Sequence, residues 1–375
     1  MLDLSPRQRA WVEVCPAAIE SNARTLLGQL RPDSSLMAVV KADGYGHGAV
    51  TVAQAALRGG ASSLGVATLQ EGIELRTAGI TAPVLLLSAL HSEEDLRLCR
   101  VHQLMPTLSR LEEAVLCNRI NTDPNDRFPV QLKLDTGMTR LGAAWEEGAE
   151  LVAAIRALPR LKLVGLYSHL ACADDPDDTL TTLQLERFRT VIHSLPDQGR
   201  HLCCHLANSA GALRGMDLHL DLVRVGLALY GHRPAEHLGR ELPLQPALSV
   251  KARVTLLRDV PAGTGVSYGH RFTTQRPTRL AIVAIGYADG VIRALSGQIE
   301  ALHRGKRLPQ VGAITMDQIV LDATEAEALQ IGDVITLLGR DGDESITPQE
   351  WSERSGSITW EILCGFRKRL PRVEV

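Results

Sequence analysis

Several features are scarce in this chain of 375 residues. Charge of one sign is scarce: 40 Lys and Arg face 43 Asp and Glu, a formal net charge of −3. That balance gives no pull toward nucleic acid or an anionic membrane surface. Long apolar runs are missing; none reaches about 18 uninterrupted residues, so no membrane span is expected. The opening stretch MLDLSPRQRA carries no apolar core of the secretory type. Paired cysteines are missing too. Cys15, Cys99, Cys117, Cys172, Cys203, Cys204 and Cys364 form an odd set without CxxC spacing. They read as reduced, mostly buried thiols of a cytoplasmic protein, and no metal site is expected. There is no low-complexity tract and no repeat of fixed period.

What is present is alternation. Short β-like runs fall at 36–41, 63–67, 83–88, 103–106, 129–135, 162–170, 201–206 and 221–226. Amphipathic segments such as AVTVAQAALRGG (49–60) and LTTLQLERFRTVIHSL (180–195) lie between them. Eight βα units with near-continuous apolar strands predict an α/β fold, a (β/α)8 TIM-type barrel. An open doubly wound sheet is the alternative. After about residue 235 the runs become short and β-branched, which predicts a C-terminal β-rich domain. The expected domains are 1–237 and 238–375, with WVEV (11–14) a candidate to join the second domain's sheet. The basic run RKRLPR (367–372) reads as a solvated end.

Polar residues gather where barrel strands end: Lys41, Asp135, His169, Asn208 with Ser209, and Arg224 with Gly226. In this architecture that end carries the chemistry. Lys41 closes the apolar run MAVVK and precedes the turn ADGYGHG. A lone lysine there commonly snorkels into water. Held in an apolar setting, its pKa falls and it becomes a nucleophile able to form an imine. The turn fits neither the Walker nor the dinucleotide fingerprint. A second cradle is RVGLALYG (224–231), whose backbone N–H groups at Gly226 and Leu227 could face a phosphate. An imine-forming lysine with a phosphate site suggests pyridoxal 5′-phosphate.

Eight stretches in order carry a resemblance that runs nearly end to end: AVVKADGYGHG (38–48), QLKLDTGMTRLG (131–142), GLYSHLACAD (165–174), HLANSA (205–210), LVRVGLALYG (222–231), GVSYGHRF (265–272), IGYADG (285–290) and TMDQ (315–318). The chain resembles the alanine racemase family of the pyridoxal-phosphate, barrel-plus-β-domain type. The resemblance implies roles. Lys41 matches the lysine that binds the cofactor covalently. Tyr45, Ser209, Gly226 and Leu227 match the phosphate-binding set. Arg224 matches the arginine at the pyridine nitrogen, and His169 the ring-side histidine that bonds to it. Tyr268 matches a second base supplied by the partner subunit of a homodimer with shared active sites. Arg140 and Met316 match the residues near the substrate carboxylate, and Tyr287 an entrance residue. Lys133 matches a lysine that is often carbamylated. D-alanine supply for cell-wall synthesis is implied, and a catabolic role is equally compatible.

Racemisation needs a base on each face of Cα, here Lys41 and Tyr268. A tyrosine, with an ordinary pKa of about 10, needs nearby positive charge to act as one; Arg140 is the candidate. Alternation puts Lys133 and Asp135 on one strand face. Lys133 is either carbamylated, facing Arg140, or paired with Asp135. Three signals are set aside: DTG (135–137) has no second copy for an aspartic-protease dyad, HLCCH (201–205) has no fourth ligand for zinc, and His47 and His270 suit surface or turn positions. The sequence departs from the family at Trp360, where a tyrosine often stands, and at Thr315, often cysteine or serine. Alanine is the expected substrate and serine a minor one, since an apolar wall rejects an added hydroxyl by about a hundredfold at best. A broad-specificity or serine racemase is the alternative, and a non-catalytic cofactor carrier the remaining reading.

Overall fold

The computed structural model describes residues 5–123 and 126–375. Residues 1–4, part of the stretch read for a secretory core, lie outside the described residues. The chain forms two compact units. One comprises Ala17–Gly44 and Ala49–Gln245; the other comprises the described residues before Ala17, Tyr45–Gly48 and Pro246–Val375.

In the first unit, among the described residues, eight parallel strands make the main path of one sheet: Ser35–Val39, Ser63–Val66, Val84–Ala89, Met105–Leu108, Phe128–Asp135, Leu161–Tyr167, Cys203–His205 and Leu222–Val225, with the short strand Ala143–Ala144 beside the fifth. Spatial order follows chain order, and the last strand lies beside the first, with Arg224 in register with Met37. The seventh and eighth strands approach through Asp221 N–H to Cys204 O at 3.0 Å and Arg224 N–H to Ala207 O at 2.9 Å. The sheet is thus a nearly closed barrel. Leu36, Met37, Ala38, Val39 and Val40 are all buried, as expected of strands covered on both faces. The helix Ala49–Arg58 turns Val52, Ala53, Ala55 and Ala56 inward, small residues that allow close approach. The sequence-predicted strands are all present with shifted ends. The first stops at Val39, short of Lys41, and the seventh spans only Cys203–His205.

The second unit is β-rich. Its hub is the 13-residue strand Leu248–Val260, which pairs with Ala10–Val14, Val334–Asp341 and Thr278–Val283, all antiparallel. On its other side Ala10–Val14 takes Arg372–Glu374 as a parallel neighbour. The basic run 367–372 is a solvated end only in part: Arg367, Lys368 and Arg369 are exposed, whereas Leu370 is buried and Arg372 is held by backbone carbonyls. Arg372 donates to Gly46 O at 3.0 Å, Phe366 O at 2.6 Å and the carbonyls of Arg367 and Leu370, each at 2.7 Å. Arg369 pairs with Asp317 and, at 3.4 Å, with Asp289. Carbonyl acceptors scattered along the chain hold Arg372 and two carboxylates meet Arg369, and a local reading of the run cannot see them.

Candidate active site

Lys41 does not end a strand. It opens a turn in which Ala42, Asp43, Gly44 and Tyr45 all take positive φ, at 53°, 54°, 60° and 50°. Three of these four residues are not glycine. A left-handed conformation costs about 1–2 kcal/mol for each such residue, so surrounding bonds must hold it. Gly44 N–H donates to Val40 O at 2.9 Å, and Asp43 Oδ1 accepts Ala49 N–H at 3.1 Å. Glu71 Oε1 accepts Ala42 N–H at 2.7 Å. Tyr45, buried, has its phenol pushed up in pKa by that burial and so stays a neutral O–H donor. His47 is buried rather than on the surface.

On the last strand, beside the one that leads to Lys41, Arg224 is buried and donates to four acceptors. Its Nη1 donates to His205 Nδ1 at 2.7 Å; its Nη2 donates to Ser168 O at 2.7 Å, Leu206 O at 3.1 Å and His169 Nδ1 at 3.2 Å. An arginine can only donate, so both histidines present a bare Nδ1 and carry their proton on Nε2. His205 Nε2–H then donates to Gln131 Oε1 at 2.8 Å. Burial first, and Arg224 second, hold both histidines well below the usual imidazole range, hence neutral. The Tyr167 ring stacks on His205 at 4.8 Å, with Arg224 lying 5.1 Å and Lys133 5.6 Å from its centroid. Burial lowers the Arg224 guanidinium to about 10, still cationic at neutral pH.

The charges at this end of the barrel are mainly positive. Lys41, Lys133, Arg140 and Arg224 each depress the His169 pKa electrostatically. Lys133 itself falls to about 8, chiefly by burial and then through Arg224 and Arg140. Asp135 does not clasp it. Asp135 Oδ1 instead accepts the backbone N–H groups of Gly137, Met138 and Thr139 at 2.9, 3.0 and 3.0 Å, shaping the turn that leads to Arg140. Ser209 Oγ accepts Gly226 N–H at 3.0 Å and Ala228 N–H at 3.3 Å, tying the segments that follow the seventh and eighth strands.

Sequence reasoning missed Glu71, Gln131, Tyr167 and His205. Period-two alternation carried the signal for two of them: Gln131 shares a strand face with Lys133, and Tyr167 lies two residues before His169. His201, by contrast, is exposed.

The remaining candidates belong to the second unit. Tyr268 follows Ser267, whose φ is 61°, and is 76% exposed. Tyr287 and Met316 are also exposed. Their loops are zipped by Tyr287 N–H to Thr315 O at 2.9 Å and Ala288 N–H to Met316 O at 3.0 Å. The buried Asp289 carboxylate braces them, receiving Arg9 at 2.8 and 2.5 Å and Gly286 N–H at 3.0 Å. The Thr315 hydroxyl is committed locally, donating to Gln318 O at 2.8 Å. Trp360 is half-buried as the second residue of the helix Thr359–Gly365.

A barrel whose strand ends carry a lysine, a buried arginine and two neutral histidines, with a separate β-rich unit, is the architecture of one class of amino-acid isomerase. Residues 14–234 match the model of the alanine racemase N-terminal domain and residues 247–374 that of the C-terminal domain. An alanine racemase of Prochlorococcus marinus is 57% identical over 99% of this chain and 97% of its own length. The crystal structure of alanine racemase from E. faecalis superposes with a TM-score of 0.92 at 34% identity, covering 98% of both chains. That of Bartonella henselae, described with covalently bound pyridoxal phosphate, gives a TM-score of 0.87 at 32% identity over 98% of this chain and 99% of its own. This chain belongs to the alanine racemase family.

Proposed function

We propose that the protein interconverts L-alanine and D-alanine with pyridoxal 5′-phosphate, using Lys41 on one face of Cα and Tyr268 of a second copy on the other. The observation that carries this reading is the excess of positive charge at the barrel's strand ends, where Lys41, Lys133, Arg140 and Arg224 surround His169. Such a donor set fits an anionic, phosphate-bearing group. Lys41 would hold it covalently. Tyr45, Ser209 and the backbone at Gly226 and Leu227 would hold its phosphate, and His169 would lie against its ring. Trp360, through its indole N–H, takes the place of a family tyrosine.

When bound, the cofactor supplies the electron sink that acidifies the substrate's Cα proton. Lys41 then moves a proton at Cα on its face, and Tyr268 moves one on the opposite face. Arg224 offers a ring nitrogen a donor and so keeps that nitrogen an acceptor; among the described residues its Nε–H and one Nη1–H have no acceptor. Arg140, with Met316, would receive the substrate carboxylate, and Tyr287 would line the entrance. Lys133, when carbamylated, would present an anion to Arg140. The exposure of Tyr268, Tyr287 and Met316 in a single chain supports a homodimer with shared sites, since a catalytic phenol works best out of water. A cytoplasmic location and D-alanine supply for the cell wall complete the reading. Among the described residues no helix is long and apolar enough to cross a membrane.

The test is chiral separation of products after incubation with added cofactor on L-alanine and L-serine in parallel. Fast D-alanine with slow D-serine is expected. D-serine at a matching rate would favour the broad-specificity reading, for which Trp360 and Thr315 are the residues to exchange. No D-product from either would overturn the proposal.

A further inference from the structure

We infer that Glu71 is a positioning residue for Lys41; the inference rests on Lys41 being the cofactor-binding lysine. Glu71 is the third residue of the helix Leu69–Thr77, which begins with a capping box. In such a box the acidic side chain needs only to reach back to the N-cap N–H. Glu71 does this with Oε2, which accepts Thr68 N–H at 3.1 Å and also Ala67 N–H at 2.7 Å. Its other oxygen is not spent on the helix. Oε1 accepts Ala42 N–H at 2.7 Å, the amide of the peptide bond that Lys41 itself begins. One carboxylate therefore ties the segment after the second barrel strand to the residue that carries the lysine.

The tie matters because the backbone beyond Lys41 is strained. Ala42 and Asp43 are left-handed, with φ of 53° and 54°, a conformation that alanine and aspartate adopt only when neighbouring groups impose it. The Lys41–Ala42 peptide sets the direction from which the Lys41 side chain departs. Released from Glu71, that peptide can rotate toward the ordinary right-handed or extended regions, and the amine loses its aim. Both carboxylate oxygens accept and neither donates. Glutamine is thus a poor substitute despite its shape, because its NH2 would face either Ala42 N–H or the Ala67 and Thr68 pair.

The test compares Glu71→Gln, Glu71→Asp and Thr68→Ala as full-length, cofactor-loaded proteins. Thr68→Ala removes the hydroxyl that accepts Glu71 N–H at 3.3 Å and weakens the same helix end while leaving the carboxylate's contacts in place. Two readouts are taken. One is the fraction and rate of covalent cofactor attachment at Lys41, from absorbance and from peptide mass after borohydride reduction. The other is kcat and KM for alanine. Glu71→Gln is expected to slow attachment and lower kcat by tenfold or more with KM within about threefold, whereas Thr68→Ala stays near wild type in both. If Glu71→Gln does not fold, Glu71→Asp, which keeps the charge but shortens the reach, is expected to give the same pattern in milder form. Wild-type attachment and kcat in a folded Glu71 variant would overturn the inference, as would equal losses in Thr68→Ala. Failure of the wild-type protein to attach the cofactor at Lys41 would instead overturn the functional reading on which it rests.

Discussion

Arg224 Nη1 donates to His205 Nδ1 at 2.7 Å, and His205 Nε2–H in turn donates to Gln131 Oε1 at 2.8 Å. One chain of bonds thus fixes the arginine's plane, the tautomer of the histidine and the amide orientation of Gln131. His205→Ala removes the middle of it. The guanidinium then keeps its charge but loses a buried acceptor, and Gln131 loses its donor. Breaking one partner of a buried charged network costs about 2–4 kcal/mol. Urea unfolding is expected to show a loss of that size, with no change in the far-ultraviolet spectrum of the native state.

The same histidine gives the protein an acid-sensitive component of stability. Burial holds folded His205 well below the usual imidazole range, while in the unfolded chain it titrates near its ordinary pKa of about 6.5. Below that pH the unfolded chain takes up a proton that the folded one refuses. Stability therefore falls as pH falls, by up to about 1.4 kcal/mol per pH unit for this group. Urea midpoints measured between neutral and mildly acidic pH should slope accordingly, and His205→Gln, which keeps a polar group without titrating, should flatten that slope. An unchanged slope in the variant would place the acid sensitivity elsewhere.

The barrel was legible because both faces of its strands are covered, so most strands are near-continuous apolar runs, and runs such as LMAVV need no tertiary information to be seen. The residues at the strand ends were legible for the same reason: a polar group closing an apolar run stands out. Glu71 and His205 were not. Glu71 looks like half of an ordinary capping box, and its second contact, to Ala42, lies across 29 residues of chain. His205 sits in HLCCH beside two cysteines, and nothing local says that its acceptor nitrogen meets an arginine 19 residues on. The left-handed turn after Lys41 was half legible: the glycines announced a turn, but not that alanine and aspartate would adopt its strained part.

Gly286 permits a close approach in the second unit. A Cβ added there would lie 2.3 Å from Thr315 O and 2.4 Å from Met316 O, and both atoms are backbone, which cannot swing aside. Its φ is −151°, so the objection is space and not conformation. Gly286→Ala must push apart the loops joined by the Tyr287–Thr315 and Ala288–Met316 bonds. Steady-state kinetics are expected to show KM for alanine raised by tenfold or more, and thermal unfolding a loss of about 1–3 kcal/mol. A wild-type KM would separate these loops from substrate binding.

Lys133 is the residue whose chemistry can be read most directly from its surroundings. Its pKa of about 8 follows mainly from burial, then from Arg224 and Arg140. At pH 7 about a tenth of such an amine is neutral, against roughly one part in three thousand for an ordinary lysine. Carbon dioxide reacts only with the neutral amine, and the product is an anion among cations. Burial and the neighbouring cations together make the ammonium form less favourable here by about 3 kcal/mol than in water, and a carbamate turns the repulsion from those cations into attraction. Incubation with 13C-bicarbonate is expected to give a single slowly exchanging carbamate resonance, absent in Lys133→Met. Occupancy should rise as pH increases toward 8, because deprotonation supplies the reactive amine. Lys133→Met should lower kcat by tenfold or more, and added acetate, a small carboxylate able to face Arg140, should restore part of it. A protein that carries no labelled carbon at Lys133 yet racemises alanine at the wild-type rate would return this lysine to a purely structural role.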